Sequence, residues 1–284
     1  MQKQFQDIFA RDFDLEESRW RGVFDFVSRD SDTLYVTIGD SWTYGWRLDQ
    51  HQRVSQCYGG IISHKFGWDF LNLSLPAANN LWMLQKYQQL CEHADELKYQ
   101  RIKIFITLTE VGREFWTDFD HDPELHQLYS TCETAKDVAL ALSTYCAQHF
   151  LKTKHERIDL CLGMNYVSNT YPKELQQLQL PCTWLEVLLN QQLTTPCYVV
   201  GSWVIPKYRN LEQCNQINVN NLLQEIQQLV DTAQQRLDLI YNSGYNYQEG
   251  YGHPNDKGHA LWADYIISRS LNNECTTFSD INGN

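Results

Sequence analysis

A β-rich run, Thr33-Leu34-Tyr35-Val36-Thr37-Ile38-Gly39, stands ahead of a turn and a helix-compatible stretch over 52–66, and the unit then repeats. Asp69-Phe70-Leu71-Asn72-Leu73 reads as a second strand, residues 79–98 as a helix and residues 101–108 as a third strand. Parallel strands need a crossover connection, usually a helix, so this alternation implies a parallel α/β sheet. Residues 158–164 and Cys197-Tyr198-Val199-Val200 read as fourth and fifth strands, with helical stretches over 135–151 and 184–192. A sheet of about five strands is close to the usual size.

The flanks are read against that unit. Residues 1–30 place Phe5, Phe9, Phe13, Trp20, Phe24 and Phe26 at spacings that fit short amphipathic helices, so they form an N-terminal extension docked on the domain. The domain itself runs over 31–272, with a short tail over 273–284. Residues 116–127 and 168–180 read as polar connections, 218–242 as a long Gln-rich helix and 256–271 as a final helix. With 284 residues, 43% of them hydrophobic and 13% aromatic, the chain has the apolar area for one large domain with a sizeable core.

A formal net charge of −12 repels phosphate and anionic lipid, which argues against nucleic acid as a partner and suits a neutral substrate. No stretch approaches the ~18 apolar residues of a membrane span, and the opening residues lack a secretory h-region; a cytoplasmic or otherwise intracellular protein is expected. The nine cysteines include no Cys-x-x-Cys and no Cys/His cluster, which reads as free thiols in a reducing interior.

Gly39-Asp40-Ser41-Trp42-Thr43-Tyr44-Gly45 places Ser41 just past the carboxyl end of the first strand of the repeat, where open α/β sheets hold their ligands. Ser41 is therefore a candidate nucleophile, the alternative being a plain helix cap. Thr43 stands where the nucleophile elbow of α/β-hydrolases has Gly, so the motif is a different one. A serine hydroxyl needs a base, and His253, in the loop that leads through Pro254 and Asn255 into the last helix, is the best candidate. His259 falls inside that helix near Leu261 and Trp262, where packing is the simpler role.

With Gly39-Asp40-Ser41 near the start, and His253-Pro254-Asn255 and Gly258-His259 near the end, the chain resembles the SGNH/GDSL hydrolase family over residues 33–271. The resemblance implies a three-layer α/β/α sandwich with a mainly parallel sheet, no cofactor, Ser41 as nucleophile and His253 as base. Asn72-Leu73-Ser74-Leu75-Pro76-Ala77-Ala78-Asn79-Asn80 looks like the second family block, with Ala77 in place of a Gly whose N–H serves the oxyanion hole. The third block carries an Asn donor in the family; here Thr107-Leu108-Thr109-Glu110-Val111-Gly112-Arg113 has none, and Thr109 is the residue whose hydroxyl is able to donate. Arg113, Asp40 and Asn80 are carried as further candidates on the substrate side.

The family's acid stands three residues before the base, at Gly250 in this chain. Either the adjacent Glu249 reaches the imidazole, or a backbone carbonyl orients the ring and leaves a Ser-His dyad. Loss of an orienting acid costs up to ~10⁴ in turnover, so a weakened or inactive binding protein on the same scaffold is the competing reading. The acidic loop with Asp118, Asp120, His121, Asp122, Glu124 and His126 reads as solvated surface rather than a metal site, and no phosphate-binding Gly motif is present. The expectation is a serine esterase acting on a small-molecule or glycan ester, with a small O-acyl group on a carbohydrate as first substrate; transfer to another alcohol is a third possibility.

Overall fold

The computed structural model of the protein describes residues 2–9, 25–76, 78–109, 135–165, 178–189 and 253–271, together with single positions 124, 127, 131, 175 and 245. The elements are α1 (Gln2–Phe9), β1 (Asp25–Val27), β2 (Thr33–Ile38), α2 (Ser41–Tyr44), α3 (Arg53–Gln56), α4 (Tyr58–Phe66), β3 (Asp69–Asn72) and α5 (Asn80–Glu92). They continue with β4 (Arg101–Leu108), α6 (Ala135–Lys152), β5 (Ile158–Met164), α7 (Trp184–Leu189) and α8 (Asp256–Ile266), whose last turn widens into a π-helical turn at Ile267–Leu271. The strands form one sheet in the order β1-β3-β2-β4-β5. β3, β2, β4 and β5 are parallel, and β1 pairs antiparallel with β3 at the edge.

Alternation along each strand sorts the apolar side chains into two cores. Leu34, Val36 and Ile38 with Ile102, Ile104, Ile106 and Leu162 face α5, α6 and α1, packing on Leu84, Tyr87, Phe150, Phe5 and Phe9. Tyr35, Phe70 and Phe105 face α4, α7 and α8, where Tyr58, Ile62, Trp184, Leu188, Trp262 and Ile266 close the second layer. The expected three-layer arrangement is therefore present, and both faces of the sheet are covered, as a parallel sheet requires.

Three local readings are corrected. Residues 25–27 are a strand, not part of a helical extension: Asp25, Phe26 and Val27 register with Asn72, Leu71 and Phe70 and close the β3 edge. The helix over 52–66 is two helices, because Cys57 is extended (φ −68°, ψ 149°) between them. The break lets α4 start at the sheet surface, where a Cβ on Gly59 would stand 2.6 Å from both Phe70 and Thr37. The helix over 79–98 ends at Glu92, followed by a 3₁₀ turn at Ala94–Glu96. The strand expected at 197–200, the helix at 218–242 and most of the connections at 116–127 and 168–180 lie outside the described residues.

Among the described residues no helix is long and apolar enough to cross a membrane, and no group of three or more His, Cys, Asp or Glu side chains is placed to hold a metal ion. Cys57, Cys91, Cys146, Cys161 and Cys182 carry free thiols.

Candidate active site

β2 lies inside the sheet, between β3 and β4, and its chain leaves the carboxyl end through Gly39 and Asp40 straight into α2. Asp40 is the N-cap: its Oδ1 accepts the Trp42 N–H at 2.9 Å, which fixes Ser41 as the first residue of the helix. A side chain at position 39 would run into that of Thr43, so the glycine permits the tight exit. Ser41 is buried apart from a small opening.

His253 arrives from the far end of the chain. It sits two residues before Asn255, the N-cap of α8, whose Oδ1 accepts the Gly258 N–H at 2.9 Å and whose own N–H donates to the Tyr245 carbonyl at 2.9 Å. The loop so fixed puts His253 Nε2 2.9 Å from Ser41 Oγ, across a sequence separation of 212 residues. At that distance a proton passes between hydroxyl and imidazole.

α8 is held against α4 by His259. Its Nδ1 accepts the backbone N–H of Tyr58 at 3.2 Å, capping the first residue of α4, while its ring stacks on Tyr58 and meets Trp184 edge to face. Burial, aided by the neighbouring charge of His253 when protonated, pushes the His259 imidazole down to about 3. His259 is therefore neutral, with Nδ1 as acceptor, and serves packing.

Behind Ser41, Asp40 joins three strand ends. Its Oδ2 accepts the Thr109 hydroxyl at 3.1 Å and the Asn165 Nδ2 amide at 3.0 Å, so the turns after β2, β4 and β5 meet on one carboxylate. Asn80 grips the Thr109 backbone in turn, accepting its N–H at 2.9 Å and donating to its carbonyl at 3.1 Å. Tyr58 and Thr107 share a 2.8 Å hydrogen bond between their hydroxyls on the α4 side of the sheet.

The network places three of the residues expected at the site. Thr109 directs its hydroxyl proton to Asp40 and its N–H to Asn80, so both of its donors already have acceptors away from an oxyanion. Asp40 and Asn80 are fully buried, and their hydrogen bonds run to the turns of the framework. Ala77, Arg113 and Glu249, with Gly250, lie outside the described residues. Asn165 is a framework residue that the sequence reading missed. The available signal was its place immediately beyond the carboxyl end of β5, level with Ser41 and Thr109.

The aromatic residues after Ser41 divide. Trp42 is buried edge-on against Trp184. Tyr44 and Trp46 are half-buried with ring centroids 6.2 Å apart, and the Arg53 guanidinium, paired with Asp25 at 2.8 Å, lies 3.9 Å over the Tyr44 ring.

No family model matches the sequence, and no curated protein matches it. Among solved structures, the chain is similar to a member of the lipolytic protein G-D-S-L family from Veillonella parvula DSM 2008, at 10% identity and a TM-score of 0.34, over 83% of this chain and 97% of that one. It is also similar to TesA, at 12% identity and a TM-score of 0.32, over 83% of this chain and 96% of that one. At such TM-scores the overlap carries no weight of its own, and the Ser-His geometry stands by itself.

Proposed function

We propose that the protein is a serine-dependent ester hydrolase, with Ser41 as nucleophile and His253 as general base. The observation that carries this reading is the 2.9 Å approach of His253 Nε2 to Ser41 Oγ at the carboxyl end of a parallel sheet. His253 takes the hydroxyl proton as Oγ attacks the ester carbonyl; the imidazolium then gives that proton to the departing alcohol, leaving an acyl-enzyme. A water, deprotonated by the same imidazole, releases the acid and restores Ser41. The Ser41 N–H, as the first of a helix, has no acceptor within α2 and suits the developing oxyanion, with the Ala77 N–H as its proposed companion. No cofactor enters these steps.

A small O-acyl or acetyl group on a carbohydrate is the proposed substrate. The acidic chain suits a neutral ester, and Tyr44 and Trp46 follow the nucleophile closely enough to offer rings to a sugar. The engagement of Thr109 by Asp40 and Asn80 favours a second reading, a catalytically weakened scaffold that binds rather than cleaves.

A serine-reactive fluorophosphonate separates the two. The hydrolase reading expects covalent labelling of the folded wild type that disappears in Ser41→Ala, with loss of at least ~10³-fold in ester turnover for that variant. A folded wild type that takes no label supports the weakened scaffold and overturns the hydrolase.

A further inference from the structure

α2, which carries Ser41, runs only from Ser41 to Tyr44. A single helical turn does not hold its own direction, because fixing its residues costs more than its few hydrogen bonds return. The aim of Ser41 Oγ at His253 Nε2 is therefore imposed by what grips α2 from outside.

Two grips reach α2, and Asn165 stands behind both. The first is Asp40, its N-cap residue, whose Oδ1 accepts the Trp42 N–H at 2.9 Å. The other oxygen, Oδ2, accepts the Asn165 amide at 3.0 Å beside the Thr109 hydroxyl at 3.1 Å. A carboxylate oxygen can only accept, so the end of the Asn165 side chain that faces it is the donor. The second grip is Trp184, whose ring meets Trp42 edge to face at 5.3 Å. Trp184 opens α7, and the N–H of the next residue, Leu185, donates to the Asn165 carbonyl at 3.1 Å.

Asn165 is itself held in place. It is fully buried, and its N–H donates to the Leu108 carbonyl at the end of β4 at 3.0 Å. Its Oδ1 has no hydrogen-bond partner among the described residues, so the bond to Asp40 is what fixes the amide plane. One residue thus ties the ends of β4 and β5 to the cap of α2 and the first turn of α7.

We infer that Asn165 is a positioning residue for Ser41: through the Asp40 carboxylate and the first turn of α7 it fixes the direction of α2, and with it the approach of Ser41 Oγ to His253. It acts through α2, on turnover rather than on substrate affinity. The effect on turnover rests on the hydrolase reading; the effect on the backbone of α2 does not.

The test compares the full wild-type chain with Asn165→Leu, which keeps the side-chain volume and removes the donor. With 4-nitrophenyl acetate, kcat per folded molecule should fall about tenfold or more while KM stays within about twofold. Amide hydrogen exchange at Trp42, read by NMR, should quicken by about tenfold while the amides of β3 keep their protection. Asn165→Asp sets two carboxylates against each other and should lose more turnover. Adding Asp40→Asn to it restores a bond between amide and carboxylate and should recover part of that loss; if Asn165→Leu does not fold, this near-isosteric pair decides. A packing role would lower the unfolding midpoint of Asn165→Leu and leave kcat and Trp42 exchange as in wild type, and that result overturns the inference, as does a double variant no better than Asn165→Asp. If the wild type takes no fluorophosphonate and cleaves no ester, the hydrolase reading falls and Trp42 exchange decides alone: faster exchange in Asn165→Leu sustains the positioning role, and equal exchange overturns it.

Discussion

The Asp40 carboxylate accepts the Trp42 N–H, the Thr109 hydroxyl and the Asn165 amide, so the residue before Ser41 ties together the turns after β2, β4 and β5. His259 acts at the same scale, with a measurable pH consequence. Its folded value, about 3, lies below the ~6.5 of an unfolded His, so between these values the unfolded state binds the extra proton. Stability contributed by neutral His259 is complete above ~6.5 and is lost as pH falls from there toward 3, at up to ~1.4 kcal/mol per pH unit. His259→Asn keeps an acceptor for the Tyr58 N–H and removes the titration. Urea melts at pH 4 and pH 6.5 should show a smaller difference for that variant than for wild type; equal differences would assign the acid sensitivity to other groups.

Strands and helices set how far the sequence is legible. β4 is buried on both faces beyond Arg101, and its Ile102, Ile104, Phe105, Ile106 and Leu108 stand out in the sequence in spite of Lys103 and Thr107. β1 has three residues, too few for a period of two to separate from a helical spacing, and only its pairing with β3 makes it a strand. The meeting of Ser41 and His253 follows from turn and helix-start chemistry at both ends of the chain. Asn165 carries no comparable mark, since an Asn after a strand looks like any loop residue until Asp40 is placed beside it. The two-part helix of 53–66 depends on Gly59 lying against Phe70 and Thr37. Gly59→Ala should force α4 outward and cost ~1–3 kcal/mol by overpacking, read as a lower denaturation midpoint with unchanged slope.

On the scale of the whole molecule, the N-terminal helix is part of the core. Phe5 and Phe9 are fully buried against the α5 side of the sheet, with Phe5 5.1 Å from Phe26 of β1. Phe9→Ala should cost ~3–5 kcal/mol, while the activity per folded molecule stays at the wild-type level because the site lies at the strand ends. Thermal unfolding paired with fluorophosphonate labelling below the transition checks both halves; a stable variant with reduced labelling would mean that α1 supports the site directly.

Ser41 and His253 stand 212 residues apart in the chain and 2.9 Å apart in the fold. No local segment carries both side chains, so the pair exists only once the two distant parts of the chain have packed together. The loop ahead of α8 carries His253 to Ser41 and His259 holds α8 to α4, so the chemistry proposed for the pair depends on that helix being docked.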